Sequence, residues 1–181
     1  MNLKQYYLKQ VVPELIKRFG YKNKYTVPKI EKVVINVGLN RAMTEKDSKY
    51  TDLVVETISK ISGQRPVVNL AKKSIAGFKI REGIPVGAHT TLRRVKMYDF
   101  MEKLINIALP RIRDFRGLEE RNIDQQGNLS IGFKEQTVFP EIIQESVEKT
   151  HGLQVVITTT AKKREEALEL FKLLRFPFRE K

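Results

Sequence analysis

Residues 71–94 read AKKSIAGFKIREGIPVGAHTTLRR, a basic, glycine-rich stretch nearly free of acid around which the rest of the chain is organised. Within residues 60–96 stand nine Lys or Arg (Lys60, Arg65, Lys72, Lys73, Lys79, Arg81, Arg93, Arg94 and Lys96) against one acid, Glu82, a local net of +8. Unpaired charges are too costly to desolvate, so this segment has to stand in water or against a charged ligand. The charge is also placed rather than spread. Residues 1–29 carry seven bases against Glu14, and what remains of the total of +13 sums to one charge on the negative side. A solubilising surface needs only mixed charge, whereas a polyphosphate rewards a single-sign field by releasing counterions.

Two readings of the loop itself stand side by side. Gly77, Gly83 and Gly87 permit positive φ and close backbone approach, and Pro85 stiffens the return to the following strand. Phe78 and Ile80 alternate with cations, as in a loop that stacks on bases while its charges meet phosphates. The other reading is a charged hairpin whose Phe78 tucks into the core.

The flanks supply sheet and helix. Lys29–Val37 alternates, with Val33, Ile35 and Val37 toward a core and Lys32, Val34 and Asn36 on the opposite face; Gly38 ends the strand. Pro66–Leu70 begins the strand before the loop. Val86–Val95 alternates after it, with Ala88, Thr90 and Leu92 on one side and His89, Thr91, Arg93 and Val95 on the other. Two strands with one apolar and one polar, basic face imply a sheet covered by helices on one side only. Short strands are also expected over Leu129–Phe133 and Leu153–Thr159, and a turn at Asp124–Asn128.

Helices are expected over Leu3–Phe19, kinked or restarted at Pro13, with Leu8, Val11, Val12, Leu15 and Phe19 inward; over Lys46–Ser62, stopped by Gly63; and over Met97–Ala108, ended by Pro110. A short helix over Pro140–Lys149 and a last one over Lys162–Leu174 complete the set, with FPF folded back onto the body. In PRIRDFRG, residues 110–117, Asp114 could tie Arg111, Arg113 and Arg116 into an ion-pair knot, or the three could face RNA. The length and the 41% hydrophobic content suit one domain with one core.

Composition narrows the chemistry. Cysteine is absent, which removes disulfides, thiolate metal sites and a thiol nucleophile and suits a reducing compartment. His89 and His151 are far apart, no phosphate-loop or dinucleotide-binding sequence occurs, and no histidine pair is spaced for zinc. We therefore expect no enzyme, no cofactor and no metal. No apolar run approaches the roughly 20 residues of a membrane span. An intracellular protein without a membrane partner is expected.

Read in order, several segments resemble one family. These are VPKIEKVVINVG (27–38), SGQRPVV (62–68), AKKSIAGFKIREGIPVGAHTTLR (71–93), ALPRIRDFRG (108–117), IGFKEQTVFPEI (131–142) and VVITTTAKKREEAL (155–168), with the terminal FPFR. Together they are similar to the bacterial-type members of the large-subunit ribosomal protein family numbered five, which bind 5S rRNA in the central protuberance.

The resemblance implies an α+β domain with a mostly antiparallel sheet, helices on one face and the other face open for RNA. It also implies that Lys32, Asn36, Gln64, Thr91 and Arg93 bind 5S rRNA. Lys72, Lys73, Ser74, Phe78, Lys79 and Arg81, in a loop spanning about residues 71–85, would reach the peptidyl-site tRNA. The implied partners further include large-subunit rRNA, neighbouring 5S-associated proteins and a small-subunit head protein across a bridge. The place implied is a ribosome, cytoplasmic or organellar. The chain departs from the family's usual residues at Asn40, His89, Gln144, His151 and the turn DQQGNL. The competing readings are a free-standing RNA chaperone, which shares the basic loop but prefers no one RNA, and an RNA-processing enzyme, which needs an acid and base not evident here.

Overall fold

The computed structural model describes residues 2–39, 49–142 and 149–179. Its helices are α1 (Leu3–Tyr6), α2 (Val12–Phe19), α3 (Tyr50–Ser62), α4 (Arg94–Lys103) and α5 (Arg164–Leu173). Its strands are β1 (Ile30–Gly38), β2 (Val67–Leu70), β3 (Pro85–Leu92), β4 (Leu129–Phe133) and β5 (Leu153–Thr159). The strands form one five-stranded antiparallel sheet in the order β2-β3-β1-β5-β4, so the fold class is α+β. In β2 and β3, Val67 pairs with His89, Val68 with Ala88 and Asn69 with Gly87. A bulge between Asn69 and Leu70 then sets Leu70 opposite Pro85.

Strand faces follow the alternation in the sequence. Ile30, Val33, Ile35 and Val37 of β1 are buried, whereas Lys32, Val34 and Asn36 are half-buried. In β3, Ala88, Thr90 and Leu92 are buried while His89 and Thr91 are half-open. In β5, Leu153, Val155, Ile157 and Thr159 alternate with the more open Gln154, Val156 and Thr158. Every one of these strands therefore has a packed side and an open, mainly polar side. The strand after the basic loop is shorter than the expected Val86–Val95: it ends at Leu92, Arg93 remains extended, and Arg94, at φ 55, turns the chain into α4.

The first helix is where side-chain periodicity and structure part. Between α1 and α2 lies a π-helical turn, Tyr7–Val11, closed by the Val12 N–H donating to the Tyr7 carbonyl. Pro13 sits in the first turn of α2, and its ring would collide with the carbonyl four residues back in a regular helix; the wider turn relieves that clash. The extra residue rotates the buried face onto Leu3, Tyr7, Val11 and Leu15. Leu8, expected inward, is exposed, and Phe19 is at the surface. The same device recurs after α4. A π turn at Leu104–Ala108 precedes a 3₁₀ turn, Leu109–Arg111, that contains Pro110. Met97, Phe100, Met101, Leu104 and Ala108 are buried as expected, and Ile105 is half-buried.

Contacts group the chain into two compact units. One comprises Met1–Val33, Leu92–Ile131 and Val156–Lys181; the other comprises Val34–Thr91 and Gly132–Val155. In the first, α1 packs on α4 and α2 on α5. Ala167, Leu170, Phe171 and Leu174 point inward, and Phe171 meets Phe176 edge to face. The terminal segment does fold back: the Leu118 N–H donates to the Pro177 carbonyl (2.7 Å) and the Arg179 N–H to the Leu118 carbonyl (2.9 Å). In the second unit, α3 buries Tyr50, Val54, Ile58 and Ile61 and stops at Gly63, whose φ of 64 lets its N–H reach the Ser59 carbonyl at 2.8 Å. Pro140–Ile142 is a turn and Lys149 a bend, and residues 143–148 of the helix expected over Pro140–Lys149, residues 46–48 of the helix expected from Lys46, and Asn40 lie outside the described residues, as does Gln144.

Candidate nucleic-acid interface

The residues expected to bind 5S rRNA occupy the open side of β1 and β3 and the turn after α3. Lys32 and Asn36 are outward positions of β1 on either side of Val34. In β3, Thr91 is an outward position, and Arg93, just past the strand, is exposed. Gln64 reaches the sheet from a different element. Its Nε2 donates to the Thr91 carbonyl at 3.4 Å. That reach is set by Ser62, whose buried hydroxyl donates to the Ile58 carbonyl (2.7 Å) and accepts the Gln64 N–H (3.2 Å). Sequence reasoning missed Ser62, although a small hydroxyl residue just before a helix-stopping glycine is a signal that the turn is tied locally. Gly87 lets β3 lie close to β1: an added Cβ would stand 3.0 Å from the Val37 carbonyl oxygen.

The basic segment is a built hairpin. At its base the Ala71 N–H donates to the Ile84 carbonyl (2.8 Å) and the Gly83 N–H to the Ala71 carbonyl (2.9 Å). Midway, Ile75 and Ile80 exchange two backbone bonds of 2.9 and 3.1 Å, and the Ser74 Oγ accepts the Glu82 N–H at 3.0 Å. Ala76–Phe78 forms a 3₁₀ turn that Lys79 closes at φ 51. Lys72, Lys73, Ser74, Phe78, Lys79 and Arg81 are all exposed. Phe78 leaves 71% of its surface open, so the reading in which it tucks into the core is set aside. Of the loop glycines, Gly83 adopts positive φ, at 83, whereas Gly77 does not and has open space around it.

The arginine segment also resolves. Arg111, Arg113 and Arg116 are exposed, and Asp114, at φ 56, makes no hydrogen bond or ion pair with them among the described residues. The ion-pair knot does not form; three residues on, Gly117 (φ 97) lies so close to the backbone of Arg179 that an added Cβ would stand 2.8 Å from the Arg179 nitrogen. No group of three or more His, Asp or Glu that could hold a metal occurs among the described residues, and none of their helices is long and apolar enough to cross a membrane. Asn36, Gln64 and Thr91 thus offer amide and hydroxyl groups on an open sheet face, and the hairpin offers a hydrogen-bonded loop of exposed cations with an exposed aromatic ring in its turn.

Comparison with known proteins identifies the chain's relatives. Residues 23–81 match the family model described as ribosomal protein L5, and residues 85–178 match the model of that ribosomal family's C-terminus. The chain is 51% identical over 177 residues to the large ribosomal subunit protein uL5 of Clostridium tetani, covering 98% of this chain and 97% of that protein. It is 50% identical over 177 residues to uL5 of Thermoanaerobacter sp. (strain X514), covering 98% of each chain. It is 49% identical over 178 residues to uL5 of Neisseria meningitidis (strain ATCC 700532 / DSM 15464 / FAM18), again covering 98% of each. With both family models matched in order and the likeness spanning nearly its whole length, this chain belongs to the ribosomal protein L5 family, in its bacterial type.

Proposed function

We propose that this protein is a non-catalytic constituent of the large ribosomal subunit that acts as a single domain over residues 1–181, anchoring 5S rRNA on its open sheet face and probing the peptidyl-site tRNA with its basic hairpin. The observation that carries the reading is Gln64 held over Thr91, on a strand whose outward side is open and polar. Lys32 and Arg93 would neutralise phosphates; Asn36, Gln64 and Thr91 would read exposed base edges or the 2′-OH. The hairpin, with Lys72, Lys73, Lys79 and Arg81 around Phe78, would reach away from that anchor toward tRNA. A further surface would meet a small-subunit head protein across a bridge, beside large-subunit rRNA and the other 5S-associated proteins.

The test is a filter-binding titration against 5S rRNA and a length-matched control RNA. Asn36→Ala and Gln64→Ala should each weaken 5S binding by roughly 1–3 kcal/mol, while Lys79→Ala leaves isolated 5S affinity nearly intact. Equal losses from all three would contradict the division between anchor and probe. Equal binding of both RNAs by the unaltered protein would put the chaperone reading ahead.

A further inference from the structure

The connector between α2 and β1 is a second contact device, distinct from both the sheet face and the hairpin. Its turn, Lys24–Thr26, is 3₁₀, and Tyr25 leaves 82% of its surface exposed, a higher fraction than any other large hydrophobic side chain in the described residues. An aromatic ring set in water gains nothing from the fold. Yet the backbone that presents it is locked. The Asn23 Oδ1 accepts the Tyr25 N–H at 2.9 Å, the Thr26 hydroxyl donates to the Asn23 carbonyl at 2.6 Å, and the Thr26 N–H donates to the same carbonyl at 3.0 Å.

Both ends of the connector are anchored as well. Upstream, Gly20 ends α2 at φ 69 with its N–H on the Ile16 carbonyl. Downstream, Val27 and Pro28 are buried, and the buried Tyr7 hydroxyl donates to the Pro28 carbonyl at 3.0 Å. One exposed cation stands at the ring and a second lies in the same segment. The Lys24 Nζ lies 5.2 Å from the ring centroid, and Lys22, three residues before Tyr25, is exposed and unpaired among the described residues.

A solvent-facing ring carried on a hydrogen-bonded turn, with one cation over it and a second in the same segment, has the chemistry of a base-stacking platform: an unpaired nucleobase covers the ring while its flanking phosphates meet the lysines. A protein partner would be expected to find an apolar rim. Here the neighbouring side chains Lys22, Asn23, Lys24 and Thr26 are all polar. We infer that Tyr25, with Lys22 and Lys24, is an additional RNA-binding site that stacks an unpaired base of single-stranded RNA. This rests on the RNA-binding reading above.

The chain contains no tryptophan, so Tyr25→Trp places a lone indole at the site. The full-length Tyr25→Trp protein would be titrated with oligoadenylate of about ten nucleotides and with a blunt RNA duplex of equal length. In parallel, anisotropy of labelled oligoadenylate would be followed for the unaltered protein, Tyr25→Leu and Asn23→Ala. The inference expects indole quenching by the single strand and not by the duplex. It expects Tyr25→Leu, which keeps apolar area but removes the ring, to weaken binding by about five- to a hundredfold. Asn23→Ala, which keeps the ring but frees the turn, should lose less. Unchanged indole emission while the labelled strand saturates, with Tyr25→Leu binding like the unaltered protein, would overturn the platform and leave the broader reading standing. An unaltered protein that binds neither oligoadenylate nor 5S rRNA would overturn both.

Discussion

Gln136 is a buried amide whose two hydrogen bonds a side chain of the same size could not replace. It leaves 2% of its surface exposed; its Oε1 accepts the His151 N–H at 2.7 Å and its Nε2 donates to the Lys149 carbonyl at 3.0 Å. Gln136→Leu keeps the volume but leaves two backbone groups unpaired, and should lower the stability measured by denaturant unfolding by about 2–4 kcal/mol. Nothing in the sequence marks Gln136, because its partners lie 13 and 15 residues away and one polar residue among others has no period. His151 beside it is buried with neither ring nitrogen hydrogen-bonded, and burial holds its pKa below the usual 6.5, an effect that the neighbouring Gly152 backbone opposes only in part. Below pH 6.5 the unfolded chain therefore binds a proton at this site before the folded one does. Stability contributed by the neutral ring should be complete above that pH and fall as pH drops toward the lower folded value. Unfolding curves from about pH 7.5 to 5 should show this fall, and a His151→Gln variant should show less of it.

The first helix carries the lesson at the scale of elements. Its existence and extent follow from apolar spacing, and Pro13 marks where it is disturbed, but the proline alone does not say whether the chain kinks, breaks or widens. It widens, and the added residue moves the buried face from Leu8 to Tyr7. The face that wins is the one with a long-range partner. Tyr7 sends its hydroxyl to the Pro28 carbonyl at 3.0 Å, and burial, with the Tyr98 hydroxyl a smaller influence, pushes its pKa above 10, so it remains a donor. Tyr7→Phe removes that bond and should cost about 1–2 kcal/mol in equilibrium unfolding, without change in helix content by circular dichroism. By contrast, β1, β4 and β5 are legible almost to the residue, since period-two alternation survives burial on one side. The end of β3 is not, because alternation in Arg93 and Val95 continues past the point where Arg94 turns into a helix.

For the molecule as a whole, charge placement along the chain is enough to locate the hairpin, and alternation is enough to locate the sheet's polar side. Neither can locate the partnership of Gln64 with Thr91, which joins residues 27 apart through a turn set by Ser62. If six or so phosphates are neutralised, log affinity for 5S rRNA should fall with log salt at a slope of roughly −4 to −5. Titrations at several salt concentrations measure that slope, and a value near zero would contradict the electrostatic reading. The end strand of the sheet has another consequence, for the time before RNA arrives. β2 exposes Val67 and Leu70, a bare margin onto which a second chain could add its own strand. The bulge after Asn69 breaks the regular template there, and Lys72 and Lys73 follow as gatekeepers against self-association. The cations proposed above to reach tRNA would thus also keep unassembled copies apart, a protection that weakens as salt screens them.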